Sequence, residues 1–376
     1  MNIILLNYEY PPLGGGAGNA CKAIAENLVK EGHNIKVYTT SYKNLSENEI
    51  INGVEIIRVP GKRKRVDRSR LIELFHYHKH VLKHSRDIIH FKPAGIIAFF
   101  GIPSGYTAMK LNKMAGIPYI VSLRGADVPG FFCSRKVDFL NIFLKPVHKS
   151  IWKNAKAVAA NSRGLKKLAD RFIKIEIRIE VIPNGVDTAF YSPGSPKDFS
   201  CKLLFAGRMS RQKGCGFLIK ALALIKEKNW HLTMVGDGPE LEKWKDLAEK
   251  NGIANKIKWK GWLARESLLN EYRNADIFVF PSYDEGMPNA MLEAMACGLP
   301  VIASRVSGVE ELVEDNKNGW LFESGDLEEL SVSLERCLNT GDRINDFSEN
   351  SRNIARRFSW ENCANRYCEI LSGIKI

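Results

Sequence analysis

The feature that most constrains this chain is a rhythm stated twice: short apolar runs alternate with longer helical stretches, first before and then after a turn-rich segment. The first series places strands at residues 2–6, 34–39, 54–59, 95–99, 119–123 and 157–160, with a helix at 18–31 ended by Gly32. At 192–200 the chain reads SPGSPKDFS, a Pro, Gly and Ser mixture that favours turns and marks a linker. The second series places strands at 202–206, 231–235, 256–260, 277–280, 300–303 and 319–322, with helices at 217–228, 240–251 and 266–274. Helices threaded between successive strands favour a parallel sheet covered on both faces. The pattern predicts an α/β protein of two Rossmann-like domains with a cleft between them, over 1–190 and 191–359, with a C-terminal helix at 360–376 returning to the first. With 376 residues to share, each half is long enough to bury its own core.

Charge is divided unevenly. Residues 1–190 hold 30 Lys and Arg against 15 Asp and Glu, a net of +15, whereas 191–376 hold 25 against 27, a net of −2. A basic first half implies an anionic partner there: nucleic acid, an acidic membrane or a phosphorylated substrate. The densest part is 62–86, with nine Lys and Arg against Asp67 and Glu73; Leu71, Leu74, Phe75, Val81 and Leu82 fall at helical spacing, which predicts an amphipathic helix with a basic face. It reads equally as a surface helix with a solvated positive face. No run reaches the ~18 apolar residues of a membrane-spanning helix. The short apolar start lacks the basic flank of a signal peptide, so a cytoplasmic protein is expected. Eight scattered cysteines, with no CxxC and no zinc spacing, read as reduced thiols.

Three segments carry chemistry. YPPLGGG (residues 10–16) lies between a strand and a helix, where glycines let backbone N–H groups approach an anion at the helix N-terminus; it is not the dinucleotide GxGxxG. GRMSRQKG (207–214) opens the second series and sets Arg208 and Lys213 on a strand-to-helix loop, where two cations can neutralise a diphosphate. PSYDEGMPNAMLEAMACG (281–298) runs from a strand through a loop into a helix from about Pro288, with Glu285 before the helix and Glu293 inside it. The two glutamates read either as ligands for hydroxyls at two ends of an extended molecule or as a glycosidase acid pair, whose members stand ~5–9.5 Å apart.

The third segment resembles the E-x7-E signature of retaining glycosyltransferase family four, which has the GT-B fold of two Rossmann-like domains facing a central cleft. GRMSRQKG resembles that family's phosphate loop and YPPLGGG its glycine loop. PNGVD (183–187), GDGPE (236–240) and FSW (358–360) resemble further family stretches, in the family's order. The resemblance implies that Arg208 and Lys213 hold the donor diphosphate, that Glu285 binds the transferred sugar and that Glu293 binds the ribose. It also implies that Gly15 and Gly16 approach the phosphate, and that backbone N–H groups of Gly286, Met287 and Asn289 lie near sugar and phosphate. No cofactor and no metal is implied. The chain departs from the family at LRGAD (123–127): Arg124 replaces a histidine at the cleft, while Asp127 keeps the pattern. An arginine there suits phosphate or an anionic acceptor.

The expected activity is transfer of a sugar from a nucleotide-sugar, a UDP-sugar ahead of GDP-mannose, to a glycan or lipid-linked acceptor of polysaccharide or lipopolysaccharide type. The expected place is the cytoplasm, peripheral on the anionic inner face of the cell membrane. A nucleotide-sugar epimerase of similar fold would need an acid/base set around the sugar. A basic nucleic-acid-binding protein would leave the second-half motifs without purpose, so no nucleic acid is expected.

Overall fold

The apolar runs form the strands of two separate sheets, one in each of two units. The computed structural model describes the whole chain except residues 64, 66–68, 132–134, 175, 196–197 and 374–376 and the side chains of 135–138 and 342. The backbone divides into Met1–Asn184 with Trp360–Ile376 as one unit and Gly185–Ser359 as the other.

In the first unit the strands are β1 (Asn2–Leu6), β2 (Asn34–Thr40), β3 (Asn48–Ile51), β4 (Val54–Val59), β5 (Gly95–Phe99), β6 (Tyr119–Leu123), β7 (Ala157–Ala160) and β8 (Ile179–Val181). They lie in the order β3-β4-β2-β1-β5-β6-β7-β8. Their pairings are parallel except β3 with β4. Successive side chains of a strand point to opposite faces. Accordingly Ile3 and Leu5 of β1 enter one core and Ile4 and Leu6 the other. The helix Gly16–Lys30 covers the first face with Ala20, Cys21, Ile24, Ala25 and Leu28. The C-terminal helix Trp360–Ser372 covers the same face, with Tyr367 Oη 2.7 Å from Ser122 Oγ of β6.

In the second unit β9 (Lys202–Ala206), β10 (His231–Val235), β11 (Ile257–Gly261), β12 (Ile277–Phe280), β13 (Val301–Ser304) and β14 (Gly319–Phe322) form a sheet ordered β11-β10-β9-β12-β13-β14. Every neighbouring pair is parallel.

Two local expectations change. Residues 62–86 are not one helix: helix begins at Leu71–Lys83 and restarts at Ser85–His90, while Lys64 and Asp67 lie outside the described residues. The buried face carries Glu73, Tyr77 and Val81, whereas Leu71 and Phe75 of the expected apolar stripe, together with Ile72, are exposed. Glu73 turns inward because it caps its own helix, accepting from Arg70 N at 2.9 Å and Arg70 Nε at 3.1 Å. The other change is two strands outside the expected series: the short β8, and the antiparallel β3, joined to β4 through Asn52 and Gly53, both at positive φ. Among the described residues seven cysteines are free thiols; Cys133 lies outside them.

Candidate functional site

In the second unit, the loops that leave β9, β10 and β12 pack on one another through backbone contacts with no room for side chains. Gly207 N donates to Val235 O at 3.0 Å and Met209 N to Asp237 O at 2.9 Å, tying the loop after β9 to the turn after β10. A Cβ on Gly236, at φ +130, would stand 1.9 Å from Gly207 O, and one on Gly214, at φ +65, would stand 2.0 Å from Pro281 O. Glycine at these two positions is therefore a packing requirement as well as a backbone one. Across the same seam Tyr283 N donates to Gln212 O at 2.8 Å, and Gln212 Nε2 to Asp284 O at 2.9 Å.

This seam sets Lys213 against Glu285. Lys213 Nζ is 2.5 Å from Glu285 Oε1 and 4.8 Å from the centre of the Phe280 ring, and Glu285 is buried. Arg208, on the same loop, is exposed. Gly286 is held by close packing, since a Cβ on Gly308 would stand 1.7 Å from its carbonyl oxygen. Met287 is buried. Asn289 begins the helix Asn289–Ala296, and Pro288, expected inside that helix, is its extended N-cap.

Glu293, a little over one turn into that helix, stands in a different cluster. Tyr272 Oη donates to Glu293 Oε2 at 3.0 Å. Burial raises the Glu293 carboxyl to about 7, against the lowering effects of the Tyr272 hydroxyl, nearby Arg265 and the Tyr191 hydroxyl. Arg265 lies 3.8 Å above the Phe190 ring and donates to Asp187 Oδ2 at 3.0 Å. The two glutamates are thus partnered differently, one by a cation and the other by phenols.

In the first unit, Gly15 is the N-cap of the helix Gly16–Lys30, and nothing stands within 4 Å of where its Cβ would be. The other expected residues follow β6. Asp127 is buried and accepts from the backbone N–H groups of Gly101, Arg124 and Gly125, each at 3.1 Å. Its pKa is raised by burial, against those same hydrogen bonds. Arg124 Nη1 donates to Asn184 Oδ1 at 2.7 Å, and the guanidinium lies 4.5 Å from the centre of the Phe99 ring.

The chain matches two sequence families along its length: residues 14–190 match "Glycosyltransferase Family 4", and residues 192–354 match "Glycosyl transferases group 1". The chain belongs to glycosyltransferase family 4. A D-inositol 3-phosphate glycosyltransferase of Corynebacterium jeikeium is 27% identical over 395 residues, covering 94% of this chain and 91% of that protein. Sucrose-phosphate synthase from Thermosynechococcus elongatus superposes with a TM-score of 0.88 at 22% identity, covering 100% of this chain and 99% of that one. Anabaena HepE in complex with UDP-glucose does so at 0.78 and 22% identity, covering 100% of both chains. These likenesses identify the two α/β units of this family 4 glycosyltransferase as the GT-B fold.

Sequence reading missed Tyr191, Tyr272 and Arg265 around Glu293, and missed that Lys213 pairs with Glu285. Nothing periodic or motif-like marks Tyr272, which reaches Glu293 from another helix, Arg265–Asn274. Asn184 was visible inside PNGVD, but as a family word and not as the partner of Arg124.

Proposed function

We propose that this glycosyltransferase moves a sugar from a UDP-sugar to a glycan or lipid-linked precursor, with retention of anomeric configuration and without a metal ion. The observation that carries the reading is the seam in the second unit: a lysine and a buried glutamate 2.5 Å apart, on glycine-tight loops at the C-terminal ends of parallel strands. Ligands of open α/β sheets bind at such strand ends. Lys213 and Arg208 neutralise the leaving diphosphate, and Glu285, held by Lys213, accepts from hydroxyls of the transferred sugar. Glu293 accepts from the ribose hydroxyls. Backbone N–H groups of Gly286, Met287 and Asn289 steady sugar and phosphate, and Gly15 and Gly16 offer theirs to phosphate. Fixed cations of this kind stabilise charge where it develops in the transition state. A donor phosphate oxygen takes the acceptor's proton on the face the leaving group vacates. Arg124 and Asp127 belong to acceptor recognition.

UDP is favoured as the nucleotide because a fold relative is known in complex with UDP-glucose. A membrane-held acceptor is supported by the first unit's surface. Leu71, Ile72 and Phe75 are exposed on one helix, and Phe139, Ile142 and Phe143 on the helix Arg135–Phe143, in a half of the chain with net charge +15. No helix among the described residues is long and apolar enough to cross a membrane. We place the enzyme in the cytoplasm, peripheral on the inner membrane face.

The test is incubation with UDP-glucose, UDP-galactose, UDP-N-acetylglucosamine and GDP-mannose, following release of free nucleoside diphosphate. Release of UDP from at least one donor is expected. No release from any of them counts against transfer, and release of GDP alone overturns the nucleotide assignment.

A further inference from the structure

A guanidinium withdrawn from water needs acceptors for its N–H groups, and leaving them unmet is costly. Arg124 is in that position. Its Nε and Nη2 are buried and have no hydrogen-bond partner among the described residues. Nor does it pair there with a carboxylate: the nearby Asp127 spends its two oxygens on the backbone N–H groups of Gly101, Arg124 and Gly125. The neighbours that feel its charge are Cys21, Cys363 and Tyr367, and burial keeps both thiols neutral by pushing them up to about 12. The charge therefore has no paired carboxylate among the described residues, and two of its donors are unspent.

Those two donors are the ones that matter for recognition. Nε and Nη2 share one edge of the planar guanidinium, so their N–H bonds run parallel and match two oxygens of a single anion. The edge is also rigid. Asn184 Oδ1 holds Nη1 at 2.7 Å, and the guanidinium lies 4.5 Å from the Phe99 ring centre. The loop beneath is fixed by Asp127 and by Gly125, which sits at φ +114 where a Cβ would meet the Phe131 ring at 2.1 Å. Both donors are covered as the loop stands, so their hydrogen-bonding capacity and the charge are still to be met. An oxyanion answers both needs.

We propose that the Nε–Nη2 edge of Arg124 binds a phosphoryl group of the substrate, with Asp127 as the positioning residue that shapes its loop. The proposal rests on the transferase reading only for the source of that group: a phosphorylated acceptor or the donor's own diphosphate.

The test measures binding of inorganic phosphate to the full chain by phosphorus NMR, with and without saturating UDP, and with acetate at matched ionic strength as the comparison anion. The variants are Arg124→Gln, which removes the charge, and Arg124→Lys, which keeps the charge but loses the fork. Melting temperatures verify that both are folded. The expected result is phosphate binding that survives UDP saturation and weakens about tenfold or more in Arg124→Gln. Arg124→Lys should recover only part of it, and UDP affinity should stay within about twofold throughout. That pattern assigns the phosphoryl group to a ligand other than the donor. If UDP displaces phosphate and itself binds about tenfold more weakly to Arg124→Gln, the site stands and the group is the donor's. Equal phosphate affinity in wild type and both variants overturns the proposal, as does acetate binding as tightly as phosphate. Failure of UDP to bind the wild type counts against the transferase reading, and the phosphate measurements still decide the role of Arg124.

Discussion

Lys213 and Arg208 are read alike from sequence, as two cations on one loop, yet they stand differently. The Lys213 and Glu285 side chains are 18% and 10% exposed, whereas Arg208 is on the surface. Removing the lysine leaves a buried carboxylate without its cation, at a cost of about 1–3 kcal/mol. Lys213→Ala should therefore lower turnover by about 10²-fold and also lower the melting temperature by about 3–10 °C. Arg208→Ala should cost similar turnover and leave the melting temperature within about 1 °C. Steady-state kinetics beside calorimetry separates the two, and near-normal turnover in either variant removes that residue from the mechanism. Glu293 makes a pH prediction. Its carboxyl is raised from 4.5 to about 7, so the folded protein holds a proton that the unfolded chain releases. Stability from this group is fully present below pH 4.5 and lost as pH rises toward 7. The ionised form is the stronger acceptor for ribose hydroxyls, so this group should make UDP bind more tightly at pH 8 than at pH 6, by up to about tenfold. Titrations at both values with Glu293→Gln should lose that increment; an unchanged slope would mean that Glu293 does not meet the ribose.

Among the elements, strands and loops were legible where the signal is local. Each apolar run of the two series became a strand within a residue or so of its expected ends, because runs of four to seven residues bounded by turns are too short for a typical helix and suit a buried strand. The antiparallel β3 was missed although Asn52-Gly53 is a strong hairpin signal, because Asn48–Ile51 is short and half polar. The helix Leu71–Lys83 was seen, but its orientation was not. Periodicity shows that a helix has faces; which face is buried depends on what lies beneath it, and here Tyr77 Oη reaches Tyr38 O of β2 at 3.0 Å. That roll leaves Phe75 outside and bears on membrane docking. Arg63 is unsuited to probing it, because it is buried and bonded to the backbone of Arg65. Lys62, Lys79 and Lys83 are exposed, and each lysine near an acidic surface contributes about 1 kcal/mol. Sedimentation with anionic vesicles should show binding that weakens with salt, and that falls at least about tenfold when all three become Gln. Phe75→Ser or Phe143→Ser should weaken it further. Equal sedimentation of wild type and variants, or none by either, would sink the docking proposal.

At the level of the whole molecule, sequence alone determined the two α/β series, the basic first half and the motif loops that place the chain in family 4. These are readable because periodicity, turn chemistry and glycine-rich loops act over a few residues, and because charge is additive. Tertiary structure decided which side chains meet. Lys213 finds Glu285 across 72 residues, and Arg124 finds Asn184 across 60. Tyr272 and Glu293, 21 residues apart, are joined by a tertiary hydrogen bond and not by any motif. The raised carboxyl of Glu293 and the unspent edge of Arg124 follow from burial, which belongs to no residue by itself. Desolvation and pairing depend on everything packed around a group, and only the folded chain brings those neighbours together.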